Sequence, residues 1–368
     1  MSNIEYMKIA IENAKKGCGY VNPNPMVGAI IVKNKKIIGS GYHEKYGGLH
    51  AERNALESCT CSPQGATMYV TLEPCCHYGK TPPCTEAIIK NSIKRVVIGS
   101  KDPNPLVAGK GIEALILNGI EVITGVCEEE CNKLNEVFFY YIKTKTPFVV
   151  MKYAMTIDGK ISTYTGWSRW ITGEKAREHV HQSRHRYTAI MIGVNTVISD
   201  DPLLTCRLQN GKNPVRIICD TNLRTPLNSK IIKTANDIST YIATACTDVE
   251  KQKQFINFGC KLLIIPKKEE HIDLNVLMLR LGEQNIDSVL LEGGSTINYS
   301  ALQAGIVKKV QCYIAPKIFG GNTAKTPVGG LGIELPDNAF LLKDKQIIFL
   351  DDDILIEGEV IQNVHRYS

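Results

Sequence analysis

The sequence predicts two α/β domains that meet near residue 146. The chain has 368 residues, which is more than a single hydrophobic core usually organises. Short apolar runs alternate with segments of helical periodicity in both halves, as layered α/β folds require. Between the halves, residues 143–147 form a polar stretch that ends in proline. We therefore expect one domain over residues 1–146 and another over residues 147–368.

Local patterns define the elements of the first half. Residues 5–16 place apolar side chains at helical spacing and lead into glycines and two Asn-Pro pairs. Residues 33–36 are polar and separate two apolar runs, which is typical of a β-hairpin. Acidic residues at 128–130 favour the start of a long helix that closes the domain. The predicted order is helix 5–16, strands 27–32 and 37–41, helix 51–56, strand 67–72, helix 85–91, strand 95–99, helix 111–117, strand 122–125 and helix 128–142.

The second half repeats this alternation and begins with a strongly apolar strand after the proline. No Gly-x-Gly-x-x-Gly fingerprint occurs in it, which disfavours a Rossmann domain. Its strands are predicted at residues 148–151, 189–193, 215–219, 261–265, 288–292 and 310–315, and its helices at residues 174–186, 274–284 and 296–304.

Composition narrows the class of protein. The N-terminal residues show no basic region followed by an apolar one, and no run approaches the ~18 apolar residues of a membrane span, so we expect a cytoplasmic protein. The 13 cysteines are an odd number in a large chain, which indicates reduced thiols and is compatible with a metal site. The net charge of +6 is dispersed, so it requires no nucleic acid and suits a small phosphate ester as substrate.

The first half carries the residues of a catalytic metal site. His50 and Glu52 open a predicted helix, Cys75 follows a predicted strand, and Cys84 lies nine positions later. One imidazole and two thiolates bind zinc and leave a position for water, whose pKa then falls towards about 7. Glu52 can serve as the acid and base of hydrolytic deamination. His-x-Glu followed by Pro-Cys-x-x-Cys is the zinc-deaminase arrangement.

Two alternatives stay open on these residues alone. The imidazole and thiols could form a structural zinc site or be buried separately, without any use for Glu52. Cys76 could replace its neighbour Cys75 as a ligand.

The two ligand cysteines enclose eight residues, which departs from the general pattern and resembles the bifunctional deaminase-reductase family of riboflavin biosynthesis. The resemblance lies in Cys-Cys-His-x-Gly-Lys-Thr-Pro-Pro-Cys at residues 75–84, together with residues 50–52, 22–28 and 101–105. It implies a cytidine deaminase-like three-layer α/β/α domain. It also implies a substrate pocket lined by Asn24, His43, His77, Lys80, Asp102 and Asn104. Any one of these residues could instead simply shape a loop.

In the second half, an apolar strand, a glycine turn and a helix start occur at residues 288–296. Backbone N–H groups at such a helix start can bind phosphate, but glycine turns before a serine are common. The segments 152–160, 168–173, 193–196 and 200–207 resemble the reductase half of the same family. That resemblance implies a dihydrofolate reductase-like α/β domain that uses NADPH.

The resemblance also implies roles for individual residues of the reductase. Lys152 and Asp200 would assist the chemistry. Arg184 could instead face solvent and Trp170 could pack in the core. The resemblance does not identify the group that binds the cofactor's extra phosphate; Arg224, in the loop after a predicted strand, is a candidate. Cofactor contacts are expected from Ala154, Trp170, Thr196, Asp200, Gly294, Ser295, Thr296, Ile297, Asn298, Tyr299 and Ser300, and substrate contacts from Ser168, Arg184, Leu204, Arg207 and Glu292.

The family's activity would be zinc-dependent deamination of a phosphoribosylated diaminopyrimidinone, followed by NADPH-dependent reduction of the ribosyl group to ribityl. We expect a phosphorylated aminopyrimidine as substrate, no nucleic-acid or membrane partner, and a homo-oligomer, either a dimer or a tetramer. The rival functions are a nucleic-acid deaminase, disfavoured because only 7% of residues are aromatic, and a zinc-stabilised binding protein.

Overall fold

A computed structural model describes residues 1–78, 82–104 and 107–361. The chain divides between Lys145 and Thr146 into two compact units. Within the described ranges, no helix combines the length and the apolar composition needed to cross a bilayer.

The first unit is built on a five-stranded sheet with the order β2-β1-β3-β4-β5. Strand β1 pairs antiparallel with β2 and β3, whereas β3, β4 and β5 are parallel. The elements are α1 Asn3–Lys15, β1 Gly28–Lys33, β2 Lys36–Tyr42, α2 Ala51–Glu57, β3 Thr67–Leu72, α3 Cys84–Lys90, β4 Arg95–Ser100, α4 Lys110–Leu117, β5 Glu121–Thr124, α5 Glu128–Leu134 and α6 Glu136–Thr144.

Both faces of this sheet are covered. Successive side chains of β1 alternate between faces, and both Ile30 and Ile31 are fully buried. Ile31 packs in a core cluster with residues of α2, α3 and α4, while Ile30 packs in a second cluster with residues of α1 and α5. The first unit therefore has three layers, α/β/α.

The second unit is built on a nine-stranded sheet with the order β10-β9-β8-β7-β13-β6-β14-β16-β15. The seven strands from β10 to β14 are parallel, and β16 and β15 continue the sheet as an antiparallel hairpin. The elements are β6 Phe148–Thr156, α7 Glu174–Arg186, β7 Ala189–Gly193, α8 Val194–Asp200, β8 Val215–Cys219, α9 Lys230–Lys233, β9 Thr240–Thr244, α10 Val249–Asn257, β10 Lys261–Ile264, β11 Lys267–Lys268, β12 His271–Ile272, α11 Leu274–Glu283, β13 Ser288–Leu291, α12 Ser295–Gln303, β14 Val307–Ala315, a 3-10 turn Pro336–Asn338, β15 Leu341–Leu350 and β16 Asp353–Ile361.

One predicted element of the first unit is wrong. The single helix expected over residues 128–142 is two helices, α5 and α6, which meet at Asn135. The Asn135 amide bonds both backbone groups of Met26: its Oδ1 accepts from the N–H at 2.8 Å, and its Nδ2 donates to the carbonyl at 3.0 Å. This tertiary contact holds Asn135 at φ −107°, outside regular helical geometry.

Several elements of the second unit were not predicted. They include strand β9 with helix α10, the short helix α8, and the terminal hairpin of β16 and β15. Strand β9 is a five-residue run with threonine at both ends, and β15 is mostly solvent-exposed, so neither produces a long apolar signal.

Candidate active sites

Three elements of the first unit converge on the predicted metal ligands. His50 precedes α2, Cys75 follows β3, and Cys84 is the first residue of α3. Nδ1 of His50 lies 3.5 Å from Sγ of Cys75 and 3.3 Å from Sγ of Cys84. The three potential ligand atoms all lie within 4.8 Å of one another. The ends of separate elements thus create one cluster.

The chemistry of this cluster fits a zinc ion. A hydrogen bond from the Cys84 thiol is the main cause that lowers the pKa of Cys75, which favours the thiolate, the form that binds metals. One imidazole with two sulfur ligands is a typical zinc donor set. Burial raises the pKa of the adjacent Cys76, which is not part of the cluster that the described residues form.

Glu52 lies beside the cluster on α2. Its side chain is buried, and burial is the main cause that raises its pKa to about 7. Helix α2 lies directly on strand β2, because a Cβ at Gly41 would be 2.3 Å from the backbone nitrogen of Ala55. The glycine therefore permits the close approach that places Glu52 at the cavity, where it can exchange protons near neutral pH.

A cavity of about 270 Å³ opens over this cluster. Of the predicted substrate residues, Lys80 lies outside the described residues. Glu52 and two of the three ligand positions, His50 and Cys75, line the cavity. The remaining predicted substrate residues all line it, namely Asn24, His43, His77, Asp102 and Asn104.

Hydrogen bonds fix the polar side chains of the cavity. Nδ1 of His43 lies 2.9 Å from the Leu49 carbonyl, which can only accept, so Nδ1 carries the proton. Nε2 of His43 then accepts from Nδ2 of Asn24 at 3.2 Å. Burial is the main cause that raises the pKa of Asp102 to about 6, and its Oδ1 accepts from the backbone N–H of Asn104 at 2.8 Å.

Glu73 is a residue of this site that the sequence did not reveal. Its buried carboxylate accepts backbone hydrogen bonds from Gly109 at 3.1 Å, Gly111 at 3.0 Å and Ile112 at 3.2 Å. It also accepts from the N–H of Asp102 at 3.3 Å. Glu73 thereby connects the loop before Cys75 to the loop that carries Asp102. In the sequence, the only indication of this role is an acidic residue directly after an apolar strand.

In the second unit, a cluster of charges that is mostly shielded from solvent lies near the ends of the strands, with its side chains 9–15% exposed. Arg184 donates from Nε to Oε1 of Glu292 at 2.7 Å and from Nη2 to Oε2 at 2.9 Å. Nζ of Lys152 lies 3.7 Å from the same carboxylate. Burial opposes ionisation of Glu292, but the charges of Arg184 and Lys152 dominate and lower its pKa to about 2. Burial lowers the pKa of Lys152, which makes it a better proton donor.

A second cavity, of about 620 Å³, lies at the start of α12. The glycine turn before this helix is tight, because a Cβ at Gly293 would be 2.1 Å from Cγ2 of Ile297. The predicted residues that line the cavity are Ser168, Thr196, Asp200, Gly294, Ser295, Thr296, Ile297 and Ser300, and Arg224 joins them.

Other predicted residues have different surroundings and are not in the lining of this cavity. Asn298 donates from Nδ2 to the Pro327 carbonyl at 2.9 Å, and the Tyr299 hydroxyl donates to the Gly332 carbonyl at 2.7 Å. Both therefore hold the loop that precedes the terminal hairpin. The positions outside the lining are Lys152, Ala154, Trp170, Arg184, Leu204, Arg207, Glu292, Asn298 and Tyr299.

The structure resolves the two alternatives left open for this half. Trp170 is 59% exposed and lies under the Arg177 guanidinium, so it does not pack in the core. The Arg184 side chain is only 15% exposed, so it does not face solvent. Leu204 is buried with φ 55°, and the backbone N–H of Arg207 donates to Nδ1 of His181 at 3.3 Å.

Two family models match the chain. The cytidine and deoxycytidylate deaminase zinc-binding region matches residues 1–100, and the RibD C-terminal domain matches residues 147–356. These matches confirm the predicted fold class: a cytidine deaminase-like domain followed by a reductase domain.

Relatives match over almost the whole chain. The riboflavin biosynthesis protein RibD of Actinobacillus pleuropneumoniae is 54% identical over 361 residues, which are 98% of this chain and 96% of that protein. A diaminohydroxyphosphoribosylaminopyrimidine deaminase/5-amino-6-(5-phosphoribosylamino)uracil reductase from Thermotoga maritima has a crystal structure with 41% identity and a TM-score of 0.87, covering 98% of this chain and 99% of that chain. A structure of Acinetobacter baumannii RibD has 37% identity and a TM-score of 0.88, with the same coverage. The chain therefore belongs to the RibD family of bifunctional deaminase-reductases of riboflavin biosynthesis.

Proposed function

We propose that residues 1–146 deaminate a diaminohydroxyphosphoribosylaminopyrimidine and that residues 147–368 reduce the resulting 5-amino-6-(5-phosphoribosylamino)uracil, the two activities named for the Thermotoga maritima relative. The observation that carries the first reaction is the buried Glu52 carboxylate, which lines one cavity together with two members, His50 and Cys75, of the cluster that Cys84 completes. The second rests on the charge cluster around Glu292 and the large cavity at α12.

For deamination, His50, Cys75 and Cys84 would hold zinc, which lowers the pKa of a water molecule towards about 7. Glu52 accepts a proton as the water oxygen attacks the carbon that bears the amino group. It passes that proton to the ring nitrogen, takes the second proton from the hydroxyl group now on the carbon, and delivers it to the amino group, so that the C–N bond breaks and ammonia leaves. One water is consumed and a carbonyl replaces the amine.

The polar residues of the first cavity suit an aminopyrimidine. Because Nδ2 of Asn24 donates to His43, the Asn24 Oδ1 is oriented to accept from a substrate amine. His77, Asp102 and Asn104 line the same space, and we assign them to the substrate as well. We assign Lys80 to the substrate phosphate from its ammonium group and its place in the sequence alone.

For the reduction, bound NADPH would supply the hydride that C1 of the ring-opened ribosyl group needs. We assign to Lys152 the delivery of a proton as the imine is reduced. The ionised Glu292 holds Lys152 in place and contacts the sugar. Since three nitrogens of Arg184 donate to Glu292 and to the Thr205 carbonyl, we assign Arg184 chiefly to orienting Glu292.

The remaining reductase residues are divided between the substrate and the cofactor. Arg207 binds the substrate phosphate, with Ser168 and Leu204 beside the substrate. Asp200 lines the cavity and assists both cofactor binding and the reaction. The cofactor contacts that we assign are Ala154, Trp170, Thr196, Asp200, and the residues from Gly294 to Ser300, among which Asn298 and Tyr299 act through the loop that they hold.

We assign the chain a homo-oligomeric state through its last sheet strands. Strand β15 ends the sheet order, so its outer edge can pair with another strand. It also exposes apolar side chains, with Ile347 64% and Phe349 72% exposed. A second copy of β15 would cover both features. Light scattering should show that Phe349→Asp shifts the protein to monomer, and an unchanged mass would refute this interface.

The proposed compartment is the cytoplasm. None of the 13 cysteines, all of which lie in the described ranges, forms a disulfide. Reduced thiols in this number suit a reducing compartment.

Expression of the two halves tests the division of labour. Residues 1–146 with zinc should release ammonia from the aminopyrimidine nucleotide and not from RNA. Residues 147–368 should oxidise NADPH with the deaminated product and without zinc. Halves that are folded but active only when mixed would refute their independence, and ammonia release from RNA would favour the nucleic-acid deaminase.

A further inference from the structure

Arg224 lies in the wall of the 620 Å³ cavity, on the turn that follows strand β8. Its Nη2 donates a hydrogen bond to Oδ1 of Asn195 at 3.0 Å, and Asn195 lines the same cavity. A guanidinium binds two oxygens of a phosphate at once, which a lysine ammonium does less selectively. The pair of Arg224 and Asn195 is therefore suited to a phosphate group in this cavity.

The turn that carries Arg224 is fixed on both sides of it. The Asp220 Oδ2 is buried and accepts from the backbone N–H and from the hydroxyl of Thr225, both at 2.7 Å. Leu223 packs in a core cluster and is 2% exposed, with φ 52°. Arg224 stands between these two anchored residues. Its backbone is thus ordered before any ligand arrives, which reduces the entropy lost on binding.

The order of the strands places Arg224 away from the reacting residues. Strand β7 lies between β8 and β13, so the ends of β8 and β13, which lead to Arg224 and to α12, are about two strand spacings, roughly 10 Å, apart. Lys152 is on β6, which is the neighbour of β13 on the other side. A dinucleotide with its pyrophosphate at the start of α12 and its nicotinamide near Lys152 therefore extends its adenosine towards Arg224.

The other charged residues of the cavity do not compete for this position. Lys325 also lines it, but its carbonyl accepts from the N–H of Ile161 at 2.9 Å, which places it near the end of β6 and on the nicotinamide side. Asp200 and Glu270 are carboxylates, which repel phosphate and suit hydroxyl groups. His271 also lines the cavity, but its imidazole cannot bind two phosphate oxygens at once, whereas the fork of Arg224 can, so Arg224 is the better phosphate ligand of this lining.

We propose that Arg224, oriented by Asn195, binds the 2′-phosphate on the adenosine half of the cofactor and so selects NADPH over NADH. This inference rests on the proposed reductase function and names the residue that determines its cofactor specificity. The 2′-phosphate is the one group that distinguishes the two cofactors, so a single side chain can carry the preference.

Calorimetry on the full-length protein with two probes tests this directly. The probes are 2′,5′-ADP, which carries the 2′-phosphate, and 5′-AMP, which lacks it. We expect Arg224→Ala to weaken 2′,5′-ADP binding roughly 10- to 100-fold, as loss of a charged hydrogen-bonding partner does, and to leave 5′-AMP binding unchanged. The affinity of Arg224→Lys for 2′,5′-ADP should lie between those of wild type and Arg224→Ala, because lysine keeps the charge but not the fork of donors.

Arg280→Ala is the matched control, since it removes the same charge from an exposed side chain of α11. Unchanged 5′-AMP binding in Arg224→Ala shows that the cavity is folded. The assignment is overturned if Arg224→Ala binds 2′,5′-ADP like wild type, if both Arg224 variants lose the two probes equally, or if Arg280→Ala loses as much. A wild-type protein that binds neither 2′,5′-ADP nor NADPH would overturn the reductase function itself.

Discussion

The Arg184 guanidinium donates two hydrogen bonds, of 2.7 and 2.9 Å, to the Glu292 carboxylate, although the two residues lie 108 positions apart in the chain. Arg184 is in the last turn of helix α7, and Glu292 follows strand β13. With Lys152 beside them, the pair places a fixed negative charge between two buried cations. The geometry of the reductase thus depends on contacts between distant elements.

Glu292→Gln should therefore destabilise the second unit and abolish reduction. The substitution leaves Lys152 and Arg184 buried without their counter-charge, which costs about 3–5 kcal/mol. Urea unfolding and NADPH oxidation measure the two effects. The double variant Arg184→Met with Glu292→Leu should recover part of the stability, because only Lys152 is then left without a counter-charge, and none of the reduction. A Glu292→Gln enzyme that reduces at the wild-type rate would refute the role of the carboxylate.

The same carboxylate predicts part of the acid sensitivity of the protein. The pKa of Glu292 is about 2 in the folded state and 4.5 ordinarily, so its contribution is fully present well above pH 4.5 and is lost as the pH falls towards 2. Relative to the double variant, wild type should lose about 1 kcal/mol of unfolding free energy between pH 7 and pH 4. An equal loss in both proteins would show that Glu292 is not responsible.

Glu52→Gln should keep zinc and lose deamination. The carboxylate is not one of the three ligand positions, but it is the group placed to move protons in the cavity. General acid and base catalysis typically accelerates a reaction about 100- to 10,000-fold, so the rate of ammonia release should fall at least about 100-fold. Metal analysis is the control, and a Glu52→Gln protein that emerges without zinc would make Glu52 a ligand.

Cys75→Ser should lose zinc, whereas Cys76→Ser should keep the metal and most of the deamination. Sγ of Cys75 lies 3.5 Å from Nδ1 of His50, and Cys76 is not part of the cluster. Metal content and ammonia release of the two purified variants decide the matter. The reverse pattern, with zinc retained by Cys75→Ser and lost by Cys76→Ser, would exchange the two assignments.

The parts of the sites that could be predicted from sequence are those encoded by short local patterns. His50, Cys75 and Cys84 stand at the ends of elements with clear signals, and Glu52 is two residues from a ligand. Glu73 was missed because its function is to accept backbone hydrogen bonds from a loop about 30 to 40 positions later.

The same limit applies to the fold. Asn135 breaks a helix through a contact with Met26, more than 100 residues earlier, which no local pattern contains. The sequence places Asn298 and Tyr299 close to the glycine turn, but it does not show that their side chains bond the loop before β15 instead of lining the cavity. Residues whose role depends on distant partners therefore need the three-dimensional arrangement.

Parallel assays of Cys84→Ser and Lys152→Ala test most directly whether one chain carries two independent reactions. Ammonia release and NADPH oxidation are each started from their own substrate. Cys84→Ser should lose only deamination, together with its zinc, and Lys152→Ala should lose only reduction. Loss of both reactions in either folded variant would contradict two separate sites.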